Sequence, residues 1–273
     1  MTRFPSEAIP RRIIIFAILN LFVGLCFWLV SLIGQVSALQ FYFERIGPAV
    51  LLLFGVLELS LAVRLIGSYH FDTEMCWAWV LIALSAALRI GGILGIYYLI
   101  LSQEGRLLAV LISGPLQLVF LGWALALVLR VFARLEYVLR VRPLDWILLA
   151  LFGAFALWTL SANLFRANTW LLFSDPLLCC VLLEVVLLYR AVSQMKGGLV
   201  AACWISYGVA VVLTAVSTVA IAASSYGLTP GSLMPLGYLV LYPAAAAFAL
   251  GPAFQFEAIS AAKRSADVTR SPR

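Results

Sequence analysis

Charge is scarce in this chain of 273 residues. Asp, Glu, Lys and Arg make up 11% of it, and apolar residues 64%. A soluble domain has about 25% charged and about 45–50% apolar residues. The shortage excludes a water-soluble enzyme, a disordered chain and a secreted disulfide scaffold. Histidine occurs once, as His70, which excludes paired-His haem ligation and His-rich metal sites. Lysine occurs twice, as Lys196 and Lys263, and neither lies inside an apolar run, so a retinal-type Schiff base has no amine to form on. The five cysteines (Cys26, Cys76, Cys179, Cys180 and Cys203) are odd in number and make no CxxC pair. They read as small buried hydrophobes. No Gly-rich phosphate loop, HExxH or GxSxG pattern occurs, and nothing calls for a cofactor.

What the chain has is apolar length. Eight segments stand out: 13–35, 48–68, 76–101, 107–129, 145–164, 176–195, 199–223 and 233–256. Each can cross a hydrocarbon core of about 30 Å. In lipid they must be helices, because an open strand edge cannot satisfy its backbone groups, and long non-alternating runs exclude a barrel. The expected fold is an all-α membrane protein, a bundle of about eight transmembrane helices. The net charge of +6 then reads as topology and contact with the lipid bilayer, not nucleic-acid binding. The first run is too long for a signal-peptide core, so it reads as an uncleaved anchor although Val36-Ser37-Ala38 resembles a cleavage site.

With the N-terminus inside, fourteen of the eighteen basic residues fall on one face, among them Arg11, Arg12, Arg64, Arg130, Arg134 and Arg190. Arg45, Arg106 and Arg166 fall on the other. This positive-inside bias places both termini in the cytoplasm and requires an even number of crossings. The expected division is a cytoplasmic segment (1–12), a first four-helix half (13–129), a basic connector (130–144) with an i,i+4 pair Glu136–Arg140, a second half (145–256) and a disordered tail (257–273). Two helix starts are expected from prolines: Gly47-Pro48, and Asp175-Pro176 with the aspartate as N-cap.

The halves share a pattern. Pro48, Glu58 and Cys76-Trp77 recur as Pro176, Glu184 and Cys203-Trp204, at offsets of 128, 126 and 127 residues. Arg64 and Arg190 each follow their glutamate by six. A 4+4 tandem repeat would give two halves of like orientation, with a site between them.

Ionisable residues deep in apolar segments cost several kcal/mol unless paired, so they mark candidate sites. Three qualify: Glu58, Arg89 and Glu184. Glu58 and Arg89 lie at similar depth on consecutive segments and are expected to pair. Small neighbours (Gly55 and Ala62; Ser85 and Gly92) should let those two helices approach closely. Glu184 should be neutral or reach Arg89 across the bundle. Gln117 and Asn20 are candidate additions to the same interior, and Ser206, Ala210, Thr214, Ser217 and Ser224 form a small, hydroxyl-rich stripe. Pro235, Pro243 and Pro252 predict a kinked or broken last helix. His70, Asp72 and Glu74 alternate in one loop and could share a metal if extended.

Three functional classes fit: a small permease or channel-like carrier centred on Glu58, Arg89 and Glu184; a non-catalytic integral subunit, sensor or anchor with protein partners; and, most remotely, an intramembrane lipid-modifying enzyme. A carrier requires a water-accessible cavity that reaches Glu58 or Arg89. The expected location is a bacterial cytoplasmic (inner) membrane.

Overall fold

A computed structural model describes residues 8–33, 36–99, 102–135, 169–195, 197–225 and 234–270, together with scattered residues between 143 and 161. Among these, every long element is a helix and none is a strand. In chain order they are α1 (Ala8–Leu32), α2 (Val36–Phe41), α3 (Gly47–Ile66), α4 (Glu74–Leu94), α5 (Gln103–Arg134), α6 (Thr169–Ser193), α7 (Leu199–Ser225) and α8 (Met234–Arg270). A π-helical turn, Tyr42–Ile46, joins α2 to α3, and another, Gly95–Leu99, extends α4. Six helices of the described residues are long and apolar enough to cross a membrane. The all-helical, apolar architecture is that of an integral membrane protein.

Local chemistry explains several ends. Thr73 caps α4, its hydroxyl accepting from the Cys76 amide at 3.3 Å, and Ser102 caps α5 through the Gly105 amide. Pro48 sits in the first turn of α3, as its missing N–H allows. Asp175-Pro176 does not start a helix: α6 begins earlier, at Thr169. One proline removes a single ladder bond, and the apolar residues ahead of it carry the helix on. The last helix is not broken either. Pro243 and Pro252 lie within a continuous α8 that runs to Arg270, through the residues expected to be a disordered tail. Its alanines and long side chains there are good helix formers. The described residues of the fifth segment are helical and exposed. The Glu136–Arg140 pair lies outside the described residues.

Helices α3, α4, α5, α6, α7 and α8 pack in succession, and α8 closes back on α3. α1 leans on α8 from outside and keeps Ile18, Phe22 and Leu29 more than half exposed. Such a surface suits lipid. α7 and α8 pack along much of their length, with Ala247 buried in the core that holds Trp204 and Tyr207, and with Gly251 against Tyr207, while Ala245, Ala246 and Ala249 of α8 are buried on the side of Ile13, Phe54 and Leu61. The main core centres on Trp79, Trp204 and Tyr207, all at 0–1% exposure. Cys76 and Cys203 are both buried, but the tryptophans that follow them differ: Trp77 is half exposed and Trp204 is enclosed. All five cysteines are free thiols; Cys26 and Cys180 are exposed, contrary to the sequence reading.

Candidate functional site

α3 and α4 bring Glu58 and Arg89 together. Arg89 Nη1 lies 3.1 Å from Glu58 Oε2, with side-chain exposures of 13% and 1%. Gly55 makes the approach possible, since a Cβ there would stand 2.9 Å from Ile90 of α4. Ser85 and Gly92 do a different job from the one expected. They face α5: Ser85 Oγ donates to the Gln117 carbonyl at 3.1 Å, and a Cβ on Gly92 would meet Ser113 Oγ at 2.7 Å. Small residues thus seat α4 between two neighbours and fix the depth of Arg89.

The second half of the chain completes the surroundings. Phe248 of α8 presents its ring to the guanidinium, whose carbon is 4.0 Å from the ring centre. Tyr207 of α7 packs edge-on against Phe248, with centroids 5.9 Å apart. Trp204 and Trp79 continue this aromatic wall, with centroid separations of 5.8 Å (Trp204–Tyr207) and 5.7 Å (Trp79–Trp204). Two faces of Arg89 are therefore occupied, one by carboxylate and one by ring. Its Nε and Nη2, buried, have no hydrogen-bond partner, and neither have the Tyr207 hydroxyl and the Trp204 N–H.

The other candidates are not gathered here. Glu184 does not pair with Arg89. Its Oε2 lies over Gly122 of α5, 3.4 Å from where a Cβ would stand, buried and without a hydrogen bond. Gln117 is half-buried, and the contact shown for it is its backbone carbonyl. Asn20 is buried on α1, where its Oδ1 accepts from Tyr42 at 3.3 Å. The hydroxyl stripe of α7 is spent mostly on its own helix: Ser206 and Thr214 donate to carbonyls four residues back. Ser217 instead donates to Gly237 of α8 at 2.8 Å.

The His70–Glu74 loop is not extended. It makes turns that end in the Thr73 cap, and Glu74 turns to α5, where Arg134 and Arg130 approach at 3.0 and 3.7 Å. Among the described residues no three of His, Cys, Asp and Glu stand together as a metal site. At the same end of the bundle Gln255 Nε2 donates to Tyr69 at 2.8 Å, linking α8 to the α3–α4 loop. Burial raises the Tyr69 phenol above its usual range, against the hydrogen bond from Gln255.

Clefts open between helices among the described residues. One of about 400 Å³ lies between α6 and α7, along Val185, Tyr189, Trp204 and Val209. Another of about 420 Å³ lies between α4 and α5, along Leu88, Gly92 and Ser113. Neither is lined by Glu58 or Arg89, so neither is the cavity a carrier requires.

Sequence reasoning missed Phe248 and Tyr207. Phe248 carried one signal: it is the single large side chain in the run Ala244–Ala249. No family model, curated protein or solved structure matches the chain.

Proposed function

We propose that the protein is a small permease or channel-like carrier whose polar site is the Glu58–Arg89 pair. One observation supports this reading: two donors of a buried arginine remain unspent. A purely structural clasp would gain nothing from that. Each buried polar group without a partner costs about 1–3 kcal/mol. A ligand site accepts such a cost because the ligand removes it. The clefts do not reach the pair, so the carrier reading makes this arrangement its closed state. The pair itself belongs to the first half, and Phe248 and Tyr207 come from the second; the reading carries with it a 4+4 repeat, eight crossings, both termini in the cytoplasm and a bacterial inner-membrane location.

The test is flux. Purified protein in proteoliposomes should move a small polar solute, and Glu58→Gln should abolish movement while the protein still elutes as a folded monodisperse species. Unchanged flux in Glu58→Gln ends the reading.

A second reading has its own support. The same enclosure of Glu58 and the apolar α6–α7 cleft suit a non-catalytic subunit, sensor or anchor held by protein partners. Affinity purification in mild detergent should then recover a stoichiometric partner. A lipid-modifying enzyme has less in its favour, because Glu58 and Glu184 do not form a carboxylate pair.

A further inference from the structure

We propose that the free edge of Arg89 binds an oxyanion, a carboxylate or phosphate, and that Glu58 takes up one proton for each anion bound. The inference rests on reading the pair as a ligand site.

The chemistry follows from which nitrogens are left. Nη1 faces Glu58 and the guanidinium plane faces Phe248. The two unpartnered nitrogens, Nε and Nη2, are the adjacent donors of one edge. Their N–H bonds run parallel, a fork that fits two coplanar oxygens of a carboxylate or phosphate. A halide or a cation has no use for that geometry. Along the aromatic wall the Tyr207 hydroxyl and the Trp204 N–H are also unspent and able to donate. The unspent acceptor at the pair is Glu58 Oε2, which protonation would turn into a further donor.

Charge balance supplies the second part. The empty site holds Glu58 and Arg89 as a neutral pair. An anion added to it would leave one uncompensated negative charge deep among apolar helices, which is expensive. The charged and titratable groups around Glu58 are few: Arg89 from α4 and Tyr207 from α7, with Cys203 one turn further along, while α8 brings only the Phe248 ring to the pair. The remaining carboxylate able to restore neutrality is Glu58 itself. Protonated from solvent, it gives a neutral loaded site when the anion is a monoanion (a carboxylate or dihydrogen phosphate): one carboxylic acid, one guanidinium, one anion. Empty and loaded states then carry the same net charge, and the anion enters with a proton.

The experiment uses the full chain purified in detergent. Sodium acetate and sodium phosphate are titrated separately at constant ionic strength against sodium chloride, by calorimetry in two buffers of different ionisation enthalpy. Acetate binding with phosphate inert identifies a carboxylate site, and the reverse a phosphate site. Either should bind with uptake of about one proton and weaken as pH rises. Arg89→Lys, which keeps the charge and loses the fork, should bind at least tenfold more weakly. Glu58→Gln, a neutral mimic of the loaded carboxyl, should still bind and should take up no proton. Absence of binding by both anions, equal binding in Arg89→Lys, or acetate-linked proton uptake that persists in Glu58→Gln overturns the proposal; for phosphate, which exchanges its own proton near pH 7, the criterion is the difference in uptake between wild type and Glu58→Gln, and no difference overturns it. The carrier reading fails separately: binding without flux in vesicles removes transport and leaves the site, whereas flux of a cation without anion binding does the opposite.

Discussion

The Arg89 guanidinium stacks on the ring of Phe248, 159 residues later in the chain, at 4.0 Å from its centre. The contact ties α4 to α8 and joins the two halves of the sequence at their most polar point. A ring face attracts a cation by about 0.5–2 kcal/mol, more when water is excluded. Phe248→Leu keeps most of the volume and loses the ring. It should lower stability by about 1–2 kcal/mol, measured as the shift in detergent thermal unfolding. In an Arg89→Met background the same change should cost clearly less; an equal cost would mean that packing alone is at work.

The ion pair makes a sharper test of how its energy divides. Removing one member of a buried pair strands the other and typically costs about 3–5 kcal/mol. Glu58→Leu or Arg89→Met alone should therefore reduce stability severely. The double variant should recover much of it, with a coupling energy of at least about 2 kcal/mol in a double-mutant cycle. Additive losses would show that the two side chains do not depend on each other.

These two side chains are legible in the sequence, and the reason is thermodynamic. A charge in an apolar segment is conspicuous, and its cost dictates a partner of opposite sign nearby. The helical segments are legible on the same ground. Partners that are merely apolar are not. Nothing local distinguishes Tyr207 from other aromatics, and the alanine run around Phe248 marks a close approach without naming the partner, because their roles are set by which helices adjoin. The assignment of Ser85 and Gly92 to the α3 seam fails for the same reason. Small residues state that something comes close, without stating what. Helix ends are misjudged where a proline reads as a boundary, at Pro176, and where polar residues read as disorder, beyond Glu257. Both residue types are compatible with helix when neighbours supply the packing.

Gly251 and Tyr207 offer a packing test. A Cβ on Gly251 would strike the Tyr207 ring, which is fully enclosed by Trp204, Trp79 and Phe248. Neither backbone nor ring has room to yield. Gly251→Ala should cost about 1–3 kcal/mol despite the better helix propensity of alanine. Tryptophan emission should shift as Trp204 is displaced. A neutral or stabilising result would mean that α7 and α8 can part without penalty.

Tyr69 links the bundle end to pH. Burial favours its neutral phenol, so the folded state holds this proton more tightly than the unfolded chain, whose phenol titrates near pH 10. Stability from this group is complete below that pH and is lost as pH rises towards the higher folded value. Alkaline titration of the wild type should show a loss of thermal stability above about pH 10 that is smaller in Tyr69→Phe. Tyr69→Phe should also lower stability at neutral pH, since Gln255 Nε2 loses its acceptor. Identical alkaline profiles would remove Tyr69 from that transition.

The unbroken course of α8 has a mechanical side. Its 37 residues make a rod of about 55 Å, nearly twice the thickness of a hydrocarbon core. Phe248 sits partway along it, and Lys263 and Arg264 lie about 23 Å further on. A rod pivoting near Phe248 by about 10° would swing those basic side chains through about 4 Å. Pro252, which cannot donate to the Phe248 carbonyl, puts the flexible point of the rod at that ring, so a change of contact there is geared into a displacement large enough to make or release a surface contact.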